Sequence, residues 1–499
     1  MAVADSDTPG GARPAHGVLS VLHVLGPVLV IFSVTMLLPI AVALWHGGPT
    51  VPAYLKAAGI TLGCGAALWL VTFRSRRELQ VRDGFLLVTL VWSLLPAFAG
   101  LPLFFYLPGL SFTDAYFECM SGLTTTGATV LSGLDQQPPS LNIWRGFLQW
   151  LGGMGVIVLA VAILPLLGVG GRQIFRAETP GPMKDTKLTP RITETAKGLW
   201  LVYSAITAVC VLSYWGAGMS ALDAFMHAFT TMSLGGFSTH DASFGFFDSP
   251  LIEAISTIFM LFAGLNFATH FLAMRQRSFA PYRFDPEARW FLALVLGTAT
   301  LVAGFLWLTG VYPDFSVALR HAIFNTVSVA TTTGYASADY NQWPSFAPMA
   351  MLLLCCVASS AGSTGGGIKM VRFQLLFLQG LREMVKLLHP NAQVPVKLGG
   401  QVIPNQIVFA VLAFMTLWGA SVTVMTLLLL ASGLEFVSAF SAVIACITNT
   451  GPGLNQVGPA TTYAVLTDTQ TWILAFAMLI GRLELFTVLV LFTPAFWRK

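Results

Sequence analysis

The sequence predicts an all-α integral membrane protein made of four copies of one helical unit, preceded by two further transmembrane helices. Of the 499 residues, 55% are hydrophobic and only 10% are charged, whereas charged residues make up about 25% of an average soluble domain. Long apolar segments recur along the chain, and four short segments containing Thr and Gly return in the same register. These three observations exclude a soluble globular domain.

Ten apolar segments are long enough, at about 20 residues each, to cross a bilayer. They cover residues 18–45, 51–73, 84–106, 142–170, 197–215, 250–274, 288–310, 345–378, 403–431 and 470–495. The polar N-terminal residues lack the charged start and the cleavage pattern of a secretory signal, and the first apolar segment is longer than a signal contains. We therefore expect the first helix to be retained.

The Lys and Arg residues indicate the orientation. Cytoplasmic loops of membrane proteins collect basic residues, and with the N-terminus inside, 22 of the 26 Lys and Arg fall in cytoplasmic segments. The four exceptions are Lys56, Arg145, Arg320 and Arg482. We expect both termini in the cytoplasm. The net charge of +4 thus reflects topology, and no feature indicates nucleic-acid binding.

Four polar segments interrupt the apolar sequence in one shared register. They read LTTTGATV at 123–130, TMSLGGFST at 231–239, ATTTGYAS at 330–337 and ITNTGPGL at 447–454. Their equivalent glycines are Gly127, Gly236, Gly334 and Gly451. Thirteen positions before each glycine, and always followed by alanine, are Asp114, Asp223, His321 and Ser438. The register is the same four times, which indicates an internal repeat.

Each copy combines a long helix, an apolar segment of about ten residues, the polar loop and a second long helix. The intermediate segment is too short to span a bilayer and is interpreted as a re-entrant pore helix. Asp114, Asp223 and His321 are expected to cap these helices rather than to form a proton relay. The roles of Glu118 and His227 stay open. The predicted divisions are a tail at 1–17, a two-helix extension at 18–83 and units 1 to 4 at 84–196, 197–287, 288–402 and 403–499.

The four loops suggest a cation path. Non-helical backbone at membrane depth is tolerated where protein buries it or where it lines an aqueous cavity. Loops around one axis can present rings of carbonyl oxygens to a dehydrated cation, and glycine adopts positive φ without a steric cost. A single loop of this kind would be an ordinary turn; four in one register favour a filter. The expected filter residues are Thr124, Thr125, Thr126, Gly127, Ser233, Leu234, Gly235, Gly236, Thr331, Thr332, Thr333, Gly334, Thr448, Asn449, Thr450 and Gly451.

Two features could obstruct such a path. The glycine-rich segment SSAGSTGGGIKM at 359–370 cannot form a stable helix, since each glycine costs roughly 1 kcal/mol relative to alanine; it is either a loop or a close-packing kink. Arg482 lies in the apolar segment MLIGRLELFTVLVLF, where a charge must face a cavity or a partner. It either pairs with another unit or lies beside the ion path as an electrostatic barrier. Glu484 is two residues away and does not share its helix face.

With the loops aligned, the chain resembles the superfamily of K⁺ transporters that includes the Trk, Ktr and plant HKT proteins, and its two-helix extension is TrkH-like. The motifs TTTGA, SLGGFSTHDAS, TTTGYASADY, AGSTGGGIK and GRLEL carry the resemblance, which covers residues 18 to 497. It implies four K⁺-channel-like units with pseudo-fourfold symmetry and one ion path per subunit.

The resemblance also implies a function and partners. Glycine at all four filter positions implies that K⁺ and Rb⁺ are preferred over Na⁺. The departure from the longer TVGYG filter of K⁺ channels implies weaker selectivity. Further implications are a homodimer in the bacterial inner membrane, with no organic cofactor of its own, and a cytosolic TrkA-like ring of nucleotide-binding RCK domains. The implied gate comprises Gly362, Ser363, Thr364, Gly365, Gly366, Gly367, Lys369 and Arg482.

Other functions compete with ion conduction. A membrane enzyme would need a nucleophile or metal set, yet the chain has no H-E-x-x-H and no G-x-S-x-G motif. A transporter of organic solutes would usually contain inverted repeats, whereas each unit here begins and ends on the cytoplasmic side. Between channel-like conduction and K⁺ symport coupled to Na⁺ or H⁺, the sequence does not decide.

Overall fold

The computed structural model describes residues 14–75, 79–158 and 192–498. These residues form helices joined by short loops, together with one two-stranded antiparallel sheet on the link between units 3 and 4. The strands are Lys397–Leu398 and Gln401–Val402, with Lys397 opposite Val402. The predicted all-α fold class is confirmed.

The extension and the first helix of each unit are long and apolar. The extension consists of Pro14–Thr35, Leu37–Trp45 and Val51–Val71. The first helices of units 1 to 4 are Val81–Ala99 with its continuation Leu101–Tyr106, Ile192–Gly216, Pro286–Leu308 and Asn405–Ala431. Short helices at Ala280–Phe284 and Pro494–Trp497 lie at the ends of units 2 and 4.

The four pore helices begin differently from the prediction. They are Phe112–Leu123, Ala221–Met232, Phe315–Ala330 and Phe436–Ile447. Ser111 and Ser220 cap the first two, and each accepts a hydrogen bond from the amide of Asp114 or Asp223, at 3.0 and 3.1 Å. The capping role assigned to Asp114 and Asp223 was therefore wrong, since both lie in the first turn, where a negative charge suits the helix dipole.

The capping prediction was also wrong for His321. In unit 3 the helix begins at Phe315, six residues before His321, whose Nδ1 lies 3.1 Å from the Ser337 hydroxyl. In unit 4 the carboxylate of Glu435 caps the helix and accepts from the amides of Val437 and Ser438.

The second helices of units 2, 3 and 4 are all broken, although the sequence predicts a break only in unit 3. The pieces are Pro250–Ala263 and Phe267–Gln276 in unit 2, Phe346–Cys355 and Met370–Leu388 in unit 3, and Asp468–Arg482 and Leu485–Leu489 in unit 4. The bends in units 2 and 4 are 95° and 114°. In unit 1 the second helix is Pro139–Val158, and its predicted continuation to residue 170 lies outside the described residues.

Six helices of the described ranges are long and apolar enough to cross a membrane, or eight if each bent pair is one span. The other two predicted spans are 142–170, of which residues 142–158 are described as part of the helix Pro139–Val158, and 345–378, which a loop at 356–369 interrupts. The total of ten therefore stays a prediction.

Two glycines let the helices of the extension approach closely. A β-carbon on Gly26 would lie 2.8 Å from the amide nitrogen of Trp69, and one on Gly65 would lie 2.9 Å from the carbonyl oxygen of Gly26. Small residues at such crossings allow the backbones to touch, as is common between membrane helices. The extension also reaches unit 1, because the Thr50 and Ser140 hydroxyls are 2.8 Å apart.

We expect Gly65→Leu to lower the thermal unfolding midpoint of the purified protein in detergent, because the added side chain separates these two helices. Overpacking of this kind costs roughly 1–3 kcal/mol. The matched control is Gly63→Leu on the same helix, where nothing lies within 4 Å of an added β-carbon. Equal midpoints for the two variants would contradict this packing.

Candidate ion pathway and gate

The four polar loops contact one another in a closed cycle. A β-carbon added to Gly451 would lie 2.6 Å from the carbonyl oxygen of Thr126 in unit 1. Equivalent β-carbons would be closer still to the next unit's carbonyl, from Gly127 to Gly235, from Gly236 to Thr333 and from Gly334 to Thr450. Each glycine thus packs against the residue that precedes the glycine of the next unit. The ring runs through units 1, 2, 3 and 4 and back to unit 1.

The backbone of the ring has the same conformation in all four units. The glycines have φ of 85°, 78°, 85° and 95° in chain order, as expected for a position that only glycine occupies without strain. Two residues earlier, Thr125, Leu234, Thr332 and Asn449 also have positive φ, between 53° and 62°. A non-glycine residue in this region costs of order 1–3 kcal/mol, and such strain concentrates at functional sites. Its fourfold recurrence marks the loops as one structure.

The hydroxyls three residues before the glycines stabilise the backbone of the loops. Those of Thr124, Thr331 and Thr448 donate to carbonyls one turn back in the pore helix, at 2.7–2.8 Å. Each also lies 2.8 Å from the hydroxyl two residues ahead. Ser233 donates to the carbonyl of Thr230 at 3.2 Å. These side chains therefore hold the end of each pore helix.

Glu118 fastens the segment that follows the first filter loop. Its carboxylate accepts hydrogen bonds from the Val130 amide at 2.9 Å and the Thr129 hydroxyl at 3.0 Å. It also pairs with Arg145, whose Nε lies 2.8 Å away. Both charged side chains are buried, and each residue is 1% exposed. The Arg145 guanidinium stacks 4.2 Å from the Phe237 ring and donates to the Ser238 carbonyl at 3.1 Å, so the ion pair connects unit 1 to unit 2.

In the other units, different side chains at or next to the equivalent position hold the segment that follows the filter loop. His227 Nε2 lies 3.0 Å from the Ser238 hydroxyl, and Asn325 accepts from the Ser337 amide at 3.1 Å. Unit 4 has Ala442 at this position, and the neighbouring Ser441 accepts from the Leu454 amide at 2.8 Å instead. The roles that the sequence left open for Glu118 and His227 are therefore structural.

A cavity of about 250 Å³ lies against the ring and is lined by residues of all four units, among them Gly127, Gly236, Gly334 and Pro452. At its edge His240 pairs with Asp135 of unit 1 and lies 3.4 Å from Asp223. Burial alone would lower the pKa of His240, but hydrogen bonding to Asp223 and Asp135 holds it above its usual value. His240 thus connects the outer loops of units 1 and 2.

The glycine-rich segment of unit 3 forms a loop that packs against the ring. The Gly366 amide donates to the Thr332 hydroxyl at 2.9 Å, and the Thr364 hydroxyl donates to the Met232 carbonyl at 3.0 Å. A β-carbon on Gly365 would lie 3.0 Å from the Thr331 carbonyl oxygen. These contacts place the loop next to the residues that precede the filter glycines of units 2 and 3.

Further contacts hold the two ends of this loop. The buried Glu287 carboxylate accepts from the amides of Ala361 and Val371, at 2.7 and 3.2 Å. The Phe267 amide donates to the Gly362 carbonyl at 3.0 Å. The loop is therefore attached to the broken second helix of unit 2 and to the first helix of unit 3.

The backbone bond between Phe267 and Gly362 has a counterpart nearby, where the Ser360 amide donates to the Gly264 carbonyl at 3.1 Å. Both bonds use backbone groups that the break in the second helix of unit 2 leaves without helical partners. The break in unit 2 is therefore explained by its contact with the loop of unit 3.

Arg482 lies at the end of the first half of the unit 4 second helix and is 5% exposed. Its Nη1 donates to the Thr364 carbonyl at 2.8 Å, and its Nη2 lies 3.3 Å from the Gly152 carbonyl of unit 1. Within the described part of the chain its Nε has no hydrogen-bond partner. Lys369 contacts the loop through the Gly365 carbonyl. Arg482 thus connects the glycine-rich loop of unit 3 to unit 1, on the opposite side of the ring.

The two-residue spacing of Arg482 and Glu484 predicts that they do not pair, and Glu484 indeed has a different partner. Its carboxylate instead lies 2.9 Å from the Arg372 guanidinium, which belongs to the second half of the unit 3 second helix. The ion pair therefore connects the broken helices of units 3 and 4.

The family is decided by comparison with known proteins. The model of the family described as "TrkH: Cation transport protein" matches residues 52–499. The chain belongs to this family. Membership in the TrkH family, whose members are transporters, excludes the enzyme alternative.

Individual relatives of the TrkH family match along almost their whole length. The "Trk system potassium uptake protein TrkH" of Halomonas elongata is 47% identical over 96% of this chain and 99% of its own. The protein of the same name from Escherichia coli K12 is 45% identical with the same two coverages. The crystal structure of the potassium transporter TrkH from Vibrio parahaemolyticus superposes with a TM-score of 0.88, at 42% identity, and covers 96% of this chain and 100% of that chain.

The structure brings the four predicted filter loops of this TrkH-family chain into one ring, and the glycine-rich segment contacts this ring through Gly366. Sequence reasoning missed three side chains that hold these segments. Gln149 and Glu287 are polar residues at the interior and the start of apolar helices, and each contacts a loop of another helix. Arg145 stands out in the sequence only as an exception to the charge distribution. A polar residue inside an apolar segment was the available signal, although its partner could not be inferred without the fold.

We expect Glu118→Gln to lower the unfolding midpoint of the purified protein, because it leaves Arg145 buried without its counter-charge. Removing one partner of a buried pair costs roughly 3–5 kcal/mol. The control is Asp248→Asn. Asp248 pairs with Arg320 and its side chain is 81% exposed, and exposed pairs contribute about 1 kcal/mol or less. A Glu118→Gln midpoint as high as that of the control would contradict a buried, charge-balanced pair.

Proposed function

We propose that the protein takes up K⁺ across the bacterial inner membrane through one filter per subunit, and that it prefers K⁺ and Rb⁺ over Na⁺. The observation that carries the proposal is the closed cycle of four loops with one backbone conformation. Such a ring can surround a cation with backbone carbonyls in place of water. The names of the relatives, which are potassium uptake proteins, support the choice of ion.

The filter residues are the sixteen loop residues predicted from the sequence. In this proposal the carbonyl oxygens of the loops face the ion, except those of Gly235 and Gly451, which accept hydrogen bonds from Gln149 and Tyr463. The threonine hydroxyls that bond the pore helices stiffen these loops. A stiff ring cannot contract freely around a smaller ion, which favours K⁺ over Na⁺ to the extent that selectivity depends on cavity size. The unequal loop sequences support only moderate selectivity.

The gate in this proposal is the intramembrane loop of unit 3 together with Arg482. The loop packs against the ring, and the guanidinium bonds the loop at Thr364. A fixed positive charge beside a cation path raises the electrostatic barrier to the ion. Opening would require the loop to move away and the bond between Arg482 and Thr364 to break.

A K⁺ symporter strictly coupled to Na⁺ or H⁺ is the alternative. The two mechanisms differ in what drives the ion, which a flux measurement distinguishes. In liposomes, ⁸⁶Rb⁺ flux that is indifferent to imposed Na⁺ and proton gradients indicates a channel, whereas strict dependence on one of them indicates a symporter.

We further propose an orientation in the membrane and two kinds of partner. Both termini lie in the cytoplasm, as the distribution of Lys and Arg supports. The membrane subunit forms a homodimer and binds a cytosolic TrkA-like ring of RCK domains, which supplies nucleotide regulation that this chain has no motif for.

We expect Gly127→Ser to reduce the preference for K⁺ over Na⁺ by about tenfold, equivalent to about 1.4 kcal/mol, because a side chain there meets the Gly235 carbonyl of the ring. The measurement is the ratio of K⁺ to Na⁺ permeability in liposomes. The control is Gly109→Ser, a glycine with φ of 87° and nothing within 4 Å of an added β-carbon. An unchanged ratio in Gly127→Ser would remove this glycine from the filter.

We expect Arg482→Ala to increase K⁺ flux without changing the K⁺ to Na⁺ ratio, because it removes both the barrier and the bond to the loop. A deletion of Gly365 to Gly367 should likewise raise ungated flux. The control is Arg289→Ala, an exposed arginine outside the pathway. Single-channel recording in bilayers measures the effect, and a wild-type conductance and open probability in Arg482→Ala would exclude the residue from gating.

A further inference from the structure

The second filter loop lacks a side chain that the other three contain. The residue before the filter glycine is Thr126 in unit 1, Thr333 in unit 3 and Thr450 in unit 4, and each hydroxyl lies 2.8 Å from the hydroxyl two residues earlier. In unit 2 the equivalent residue is Gly235, which follows Ser233 and Leu234. Its φ is not positive, so the backbone alone does not require glycine there.

The space that a side chain at 235 would occupy is filled by Gln149 of unit 1. A β-carbon on Gly235 would lie 2.8 Å from Nε2 of Gln149 and closer still to its Cδ. Gln149 is fully buried in the second helix of unit 1, Pro139–Val158. The absence of a threonine in unit 2 and the presence of this glutamine in unit 1 therefore belong together.

The amide of Gln149 holds the loop of unit 2 on both sides of Gly236. Its Nε2 donates to the Gly235 carbonyl at 2.6 Å, and its Oε1 accepts from the Phe237 amide at 3.2 Å. One helical turn earlier, Arg145 donates to the Ser238 carbonyl at 3.1 Å. The Gly235 carbonyl is also the group against which the filter glycine of unit 1 packs in the ring. Gln149 thus acts at the junction of the first two quadrants.

We propose that Gln149 is a positioning residue that completes the second quadrant of the filter and sets its ion selectivity, in the place that a threonine takes in the other three. The inference rests on the proposed function as a K⁺-selective filter. Because Gln149 fills the room that Gly235 leaves, the two residues form a matched pair, and changing either one alone disturbs the ring.

A double-mutant cycle tests this pair through the K⁺ to Na⁺ permeability ratio in liposomes. In Q149A the carbonyl of Gly235 loses its donor, and we expect the ratio to fall about fivefold, as for the loss of one net hydrogen bond. In G235T the new side chain collides with Gln149, and the ratio should fall as well. In Q149A/G235T the threonine has room and a hydroxyl partner in Ser233, so the ratio should return toward the wild-type value.

Further variants separate the proposal from a general loss of stability. Q342A, at an exposed glutamine outside the ring, should retain the wild-type ratio. If Q149A does not fold, Q149M fills the same space without hydrogen bonds and should show the same loss of selectivity. A wild-type ratio in Q149A or Q149M, or a double variant no more selective than the worse single variant, would overturn the proposal. Wild-type protein that does not distinguish K⁺ from Na⁺ would instead refute the proposed function.

Discussion

The contact between each filter glycine and the carbonyl of the next unit is the constraint on which the rest of the structure depends. It requires four loops in one left-handed conformation, with no side chain at any of the four positions. A loop in a membrane must also satisfy its own peptide groups, because no water is available in the hydrocarbon region. The pore helices, the threonine hydroxyls and the side chains behind the ring meet this need.

The four units share a backbone but not a set of side chains. Glu118, His227, Asn325 and Ser441 all fasten the segment after a filter loop, with four different chemical groups. The second helices also differ between units. The backbone groups that the break in unit 2 leaves without helical partners are hydrogen-bonded by the loop of unit 3. In a symmetric oligomer one sequence must form every interface. Here each unit has its own sequence and needs to fit only its own two neighbours, so the side chains of the four units can diverge.

Much of the fold could be predicted because the repeat fixes a register. The shared position of Gly127 and its three equivalents predicted the loops and the pore helices, and the glycine cluster at 359–370 predicted a broken helix; all are present. The breaks near Asn266 and Glu484 were missed because their sequences lack a glycine cluster. The caps were misplaced because the repeat marks equivalent positions without showing where a helix begins. Gln149 could not be paired with Gly235 because they are 86 residues apart.

If the four loops surround one ion, diffraction from crystals grown with Rb⁺ shows it directly, because anomalous scattering locates Rb⁺ independently of any kinetic interpretation. We expect Rb⁺ on the axis of the ring, within contact distance of carbonyl oxygens from the loops that contain Gly127, Gly236, Gly334 and Gly451. Rb⁺ bound elsewhere in the protein, with none on this axis, would contradict a filter formed by these loops.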